Sequence, residues 1–166
     1  MNFKNNKPNF LGSSLIELMV VIAIIAFLAM IAVPNMMRYL AKAKRAEAYV
    51  NLGSIYTAQK MYWAEHGHYA TKLSGKDGLG WKPEGYTGGG TSERFYYSYG
   101  FGSGSEGEHY FTGKLEAPMS SLQLAKADKD SFLVLAAADI DGDDKQDIIG
   151  INEKHEIIII QDDLQD

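Results

Sequence analysis

The densest group of chemically capable side chains in this 166-residue sequence is Asp139-Ile-Asp-Gly-Asp-Asp-Lys-Gln-Asp147. Carboxylates stand at positions 1, 3, 5 and 9 of this nine-residue stretch, and Gly142 allows the backbone to turn so that they converge on one point. Hard oxygen donors gathered in this way suit Ca²⁺, which accepts about 6–8 oxygens in flexible geometry. The expected ligands are Asp139, Asp141, Asp143 and Asp147, with the backbone carbonyl of Lys145 as a fifth. The competing reading is an aspartate- and glycine-rich turn that binds nothing, both residues being turn formers in their own right. It leaves the mutual repulsion of the carboxylates uncompensated.

A second residue stands out by its surroundings. Glu17 interrupts an apolar stretch running from Leu15 to Val33, 19 positions in all. An acid at the centre of such a helix costs roughly 2.5–3.5 kcal/mol on insertion scales. Glu17 lies near the end, where its carboxylate can reach the headgroup region at lower cost. The alternative is pairing with a cation from another chain, since a buried charge needs a partner. Elsewhere chemistry is sparse. Glu65, His66 and His68 lack zinc-type spacing to any further ligand. No nucleophile, base and orienting group stand at informative spacing, so no enzyme is expected.

Composition narrows the classes further. Lys plus Arg number 16 against 21 Asp plus Glu, a formal net charge of −5, which gives no reason to expect a nucleic-acid binder. The absence of cysteine removes disulfides, thiolate metal sites and a cysteine nucleophile together. The length is that of one domain with a modest core. Such a core has difficulty surrounding a helix that is apolar on every side, so the stretch ending at Val33 reads as a membrane span of nearly the ~20 residues required. It exceeds the ~7–15-residue core of an ordinary secretory signal, and no small-x-small cleavage pair closes it. Arg38, Lys42, Lys44 and Arg45 beyond the span outnumber Lys4 and Lys7 before it. The charge count alone therefore places the C-terminal side in the cytoplasm.

The run Gly12-Ser-Ser-Leu-Ile-Glu17-Leu-Met-Val-Val-Ile-Ala-Ile-Ile25 resembles the class III signal of type IV pilins and type II secretion pseudopilins. The resemblance covers roughly residues 8–70 and implies the opposite orientation to the charge count, with the head outside the cytoplasm. It implies a leader, residues 1–12, removed after Gly12 by a prepilin peptidase, and a mature chain beginning at Ser13, where the family usually has phenylalanine. Glu17 then falls on the family's glutamate and Pro34 on its helix-kinking proline, while Ala26 replaces a frequent glycine. In the family the glutamate meets the N-terminal amine of a neighbouring subunit as helices enter a filament. The reference pKa of ~7.7–8.0 keeps much of that amine cationic near neutrality.

The implied protein is a structural subunit of a type IV pilus-like filament. Its partners are further copies of itself, the peptidase, inner-membrane assembly platform proteins and the membrane, with no nucleic acid expected. It resides in the bacterial inner membrane before assembly and in a cell-surface or periplasmic filament afterwards. A type II secretion pseudopilin is the nearest alternative; a membrane-anchored calcium-binding or adhesive module is the alternative of another class. The aspartate stretch in turn resembles the D-x-D-G-D-x-x-x-D calcium loops of extracellular β proteins. It departs from the EF-hand, having Asp144 at position 6 and Gly150 at position 12.

These residues need positioning elements. Residues 13–34 read as the membrane or filament-core helix, and 35–66 as its amphipathic continuation, kinked rather than ended by Pro34. Leu52, Ile55, Tyr56, Tyr62 and Trp63 mark the apolar face; Lys42, Lys44, Arg45, Glu47, Gln59 and Lys60 mostly fill the remainder. Gly67 suits the helix C-terminus. Residues 67–107 form a glycine-rich connection, a surface loop or a partly disordered segment, with a strand near 94–99. Residues 108–166 carry strands at 110–112, 132–136, 147–151 and 156–160, the last two joined by a tight hairpin over Asn152–His155. The fold class is α+β: a long N-terminal helix, its first half in the membrane, laid on a small antiparallel sheet in a type IV pilin-like arrangement.

Overall fold

The structure is a computed structural model and describes residues 15–165. One helix, α1, spans Leu15–His66 without interruption, with Pro34 inside it. The chain divides into two compact units between Met37 and Arg38.

In the first unit every described side chain is exposed. This portion of α1 is long and apolar enough to cross a membrane, and no described residue of its own unit covers it. Pro34 has no N–H to offer the carbonyl of Met30. One residue on, the Asn35 side-chain amide donates to the carbonyl of Ile31 at 3.2 Å.

The second unit is built on an antiparallel sheet. Its strands are β1 (Ser98–Gly100), β2 (Tyr110–Phe111), β3 (Lys126–Ala127), β4 (Phe132–Ala138), β5 (Asp147–Asn152) and β6 (Ile157–Gln161). The order is β2-β1-β4-β5-β6, and β3 pairs with the opening residues of β4. The sheet buries one face against the stripe of α1 formed by Ala41, Arg45, Ala48, Leu52, Ile55 and Gln59. Their alternating spacings of four and three residues keep all six on one side of the helix. Val134, Ala136 and Ala138 of β4 and Ile149 and Ile151 of β5 complete that core. Leu135 and Ala137 point the other way, into a smaller cluster with Leu122. β4 is thus buried on both sides, as its nearly unbroken apolar sequence implies.

The helix ends as expected. Gly67 adopts φ +73° and its N–H bonds to the carbonyl of Trp63 at 2.8 Å. The hairpin between β5 and β6 also forms: Asn152 Oδ1 accepts the N–H groups of Lys154 and Glu156, and Ile151 lies opposite Ile157.

Two expectations are corrected. Trp63 is 45% exposed and lies off the buried face, whereas the polar Arg45 and Gln59 are on it. Gln59 earns its place by exchanging two hydrogen bonds with the backbone of Ala70, at 2.8 and 3.0 Å, which folds the chain back along the helix just past its end. The strand near 94–99 begins only at Ser98. Before it, the N–H of Tyr96 turns to the carboxylate of Glu47 on α1, so this stretch follows the helix instead of a strand. The glycine-rich connection is a surface loop, exposed or half-buried from Ser74 to Ser92 apart from Pro83, and it is tied down at its two ends: Tyr69, Ala70, Leu73, Phe95 and Tyr97 are buried, and Leu73 and Ser74 donate to the carbonyl of Glu108.

Candidate functional site

Two regions hold the sequence-marked residues, one in each unit. Glu17 sits in the first turn of α1, where the helix dipole favours an acid. Its neighbours Ile16, Leu18, Met19 and Val20 are all exposed. Pro34 lies near the other end of the apolar run. Gly12 and Ser13, the expected cleavage pair, lie outside the described residues, as do Lys4 and Lys7.

In the second unit the aspartate stretch forms the turn between β4 and β5. Asp139 shapes it, its two oxygens accepting the N–H groups of Gly142 at 2.6 Å and Asp144 at 3.0 Å. Gly142 and Asp144 both take positive φ, +92° and +70°. Asp143 Oδ1 accepts the N–H of Lys145 at 2.9 Å. Asp139, Asp141 and Asp143 bring one carboxylate oxygen each to within 4.8 Å of one another, as the spacing predicts.

The fourth carboxylate in that group is Asp163, not Asp147. The period-two alternation of β5 accounts for the exchange. Asp147 pairs opposite Ala138, Ile149 opposite Ala136 and Ile151 opposite Val134, so all three side chains share the helix-facing side of the sheet. Asp147 is fully buried there, held by Nε of Arg45 at 2.9 Å, by Nη2 of the same residue and by the hydroxyl of Tyr97 at 2.6 Å. Arg45 also binds Asp162. Burial works against the Arg45 guanidinium, but the hydrogen bonds and charges of Asp162 and Asp147 outweigh it and raise its pKa. Burial and then the bond to Asp147 raise that of Tyr97 as well.

Asp163 reaches the turn from the end of the chain. Gln161 of β6 lies opposite Ile148, so the residues that follow run beside the start of β5. Asp163 is 1% exposed; its Oδ2 accepts the N–H of Ile140 at 3.1 Å, and its N–H donates to Asp147 Oδ1 at 3.3 Å. Its Oδ1 is buried with no hydrogen-bond partner among the described residues. Burial above all pushes its carboxyl up to about 6. The Ile140 N–H opposes that rise, and the charges of Asp141, Asp143 and Asp139 add to it. The clue available in the sequence was the hairpin: counting back from Asn152–His155 places residues 161–163 level with the opening of β5.

The histidines carry no such arrangement. His66 stacks on Tyr62 with ring centroids 4.1 Å apart, and His68 meets the same ring edge-on.

The prokaryotic N-terminal methylation motif matches residues 7–33. The chain is 44% identical over 70 residues to the type IV major pilin protein PilA of Myxococcus xanthus, covering 42% of this chain and 32% of that protein. It is 38% identical over 68 residues to type II secretion system core protein G of Escherichia coli, covering 41% and 47%. The same identity over 72 residues links it to core protein G of Aeromonas hydrophila, covering 43% and 50%. The match thus spans from 32% to 50% of each of these relatives. The chain thus carries the N-terminal methylation motif and, over the matched lengths, is homologous to type IV pilin PilA and to core protein G of type II secretion.

Proposed function

We propose that this protein is a structural subunit of a type IV pilus-like filament, anchored by the first part of α1 before assembly and polymerised through that helix. The observation that carries this reading is the coincidence of the methylation motif at residues 7–33 with a helical segment whose apolar side chains are all exposed in its own unit. Such a surface needs lipid or other helices around it. The head stands outside the cytoplasm, and the leader is removed between Gly12 and Ser13 by a prepilin peptidase. Glu17 then meets the new α-amino group of a neighbouring subunit, which sets the axial register of the helices. Pro34 adjusts the path of the helix at the end of the apolar run. Assembly platform proteins of the inner membrane are the expected handlers of the anchored subunit.

Co-expression with a prepilin peptidase tests this reading. Mass spectrometry should find the first twelve residues missing, with the new N-terminus at Ser13, and fibres sheared from cells should contain that form. A chain that keeps its leader in peptidase-positive cells overturns it in favour of a simple anchored module.

Similarity to core protein G supports a second reading, a pseudopilus subunit of a secretion system. The two readings separate by deletion of the gene. Loss of surface fibres with protein export intact identifies a pilus; retention of exported proteins in the periplasm identifies a pseudopilus.

A further inference from the structure

We infer that the open edge of β6, an apolar strip framed by acids, docks on the outer face of α1 of a second copy of this chain, where Tyr39 and Val50 stand beside Arg38 and Lys42. The contact rests on the filament reading and adds to it the pair of surfaces that meet.

β6 ends the sheet, and its residues Ile157, Ile158, Ile159 and Ile160 are between 37% and 48% exposed. Ile157 and Ile159 lie opposite Ile151 and Ile149 on the helix-facing side, yet remain uncovered there. Ile158 lies opposite Gly150, which has no side chain to cover it. Sheets blunt such an edge with Lys, Pro or a covering segment. The other end of the sheet is treated in this way: the carbonyls of Tyr110 and Thr112 accept the N–H groups of Gly107 at 2.8 Å and Gly90 at 3.2 Å. Among the described residues no segment does the same for β6. Four consecutive exposed apolar residues on an open strand mark a surface that another body covers.

The helix offers a surface of matching character. Its buried stripe, through Ala41, Ala48 and Leu52, leaves Tyr39 and Val50 exposed on the opposite side. Nearby, a Cβ at Gly53 would meet nothing within 4 Å of its own chain, so the head does not require a glycine there. A body that approaches the helix closely does.

Charge selects the partner. Residues 139–166, which frame β6, hold ten Asp and Glu against two Lys, whereas residues 38–46 of α1 hold four Lys and Arg and no acid. Two of those four cations are used inside the head, Arg45 by Asp147 and Asp162, and Lys44 by the carbonyl of Ile140. Arg38 and Lys42 remain exposed and make no ion pair among the described residues. Edge against helix therefore brings opposite charges together, while β6 against β6 of another copy brings acid to acid. The two surfaces differ, so each copy gives its edge to one neighbour and its helix to another. A contact of this heterologous kind repeats into an open assembly, as a filament requires.

The chain has no cysteine, so introduced thiols report this contact alone. Full-length variants carrying Ile158→Cys with Val50→Cys, or Ile158→Cys with Tyr39→Cys, are expressed with a prepilin peptidase, and sheared fibres are treated with a short bismaleimide. At least one double variant should give a ladder of covalent multimers, and Ile158→Cys alone should stay monomeric. Arg38→Glu together with Lys42→Glu should lower fibre yield at least about tenfold, with the amount of subunit in the membrane unchanged. The contact is overturned if fibres form and neither double variant gives a ladder, if Ile158→Cys alone yields dimers, which would mean that β6 edges pair with each other, or if the charge-reversed variant makes normal fibres. Absence of fibres from the parent strikes the filament reading instead; the double variants are then cross-linked in isolated membranes, and monomers alone in that experiment overturn the contact as well.

Discussion

Arg45 on the helix and Asp147 at the start of β5 form a buried ion pair that joins the two layers of the head. Both oxygens of Asp147 are engaged by the one guanidinium, and Tyr97 donates to one of them. The planar fork of arginine suits this role, where a lysine would offer a single point charge. The same residue reaches Asp162, so one cation fixes the helix, the central sheet and the chain end.

Removing that cation should therefore be severe. Arg45→Ala leaves the carboxylate of Asp147 buried without its counter-charge, a change that costs about 3–5 kcal/mol in comparable cases. Urea denaturation of the solubilised protein, followed by near-ultraviolet circular dichroism of the buried tyrosines, measures the loss. A loss below about 1 kcal/mol would place the pair among weak surface bridges instead.

Gly67 offers a test confined to backbone conformation. Its φ of +73° disfavours any side chain, yet a Cβ built there meets nothing within 4 Å. Gly67→Ala should thus cost about 1–2 kcal/mol through conformation alone. Gly67→Asn should recover part of it, since asparagine tolerates the left-handed region better. Equal melting temperatures for parent and alanine variant would mean that the helix end can relax.

The loop carboxylate Glu93 predicts an acid limb. Its Oε1 accepts hydrogen bonds from the Thr87 N–H and hydroxyl and from the Gly89 N–H. Burial opposes ionisation, but these bonds prevail and hold its pKa below the ordinary value of 4.5. The unfolded chain therefore takes up this proton first as the pH drops. The stability that Glu93 provides is complete above the ordinary value and is lost as pH falls through the lower folded value. A melting curve series from pH 7 to pH 3 should show Glu93→Gln less stable than the parent at neutral pH, with the gap closing below about 4.5. A gap that widens on acidification would reverse the sign and refute the assignment.

On the proposed filament reading, Glu17→Ala changes assembly and leaves the head unaltered. The variant should insert into the inner membrane as well as the parent, because it removes a charge from an apolar segment. It should be absent from sheared fibres, since the partner amine would lose its counter-charge, a loss of about 3–5 kcal/mol for a buried pair. Quantifying the subunit in membrane and fibre fractions separates the two effects; normal incorporation removes the pairing role.

Much of the architecture was written in local pattern. Phe132–Ala138, Asp147–Asn152 and Ile157–Gln161 are β-branched or apolar runs bounded by turn residues, and they fold as strands close to their expected limits. The Asn152–His155 turn and the Gly67 helix end follow from residues whose conformational preferences are strong over a few positions. The short β3 carries no such pattern; Lys126 and Ala127 become a strand only because β4 offers a free edge to them.

For the candidate site residues, the sequence by itself determined the apolar stretch around Glu17 and the convergence of Asp139, Asp141 and Asp143, because both depend on neighbours a few positions apart along the chain. Only the tertiary structure decided the fate of Asp147 and Asp163. The first is turned toward Arg45 by the alternation of β5 against the helix, and the second is carried to the turn by pairing of β6. Spacing along a chain ranks ligands by proximity in sequence; the faces of a sheet and the register of its last strand rank them by proximity in space.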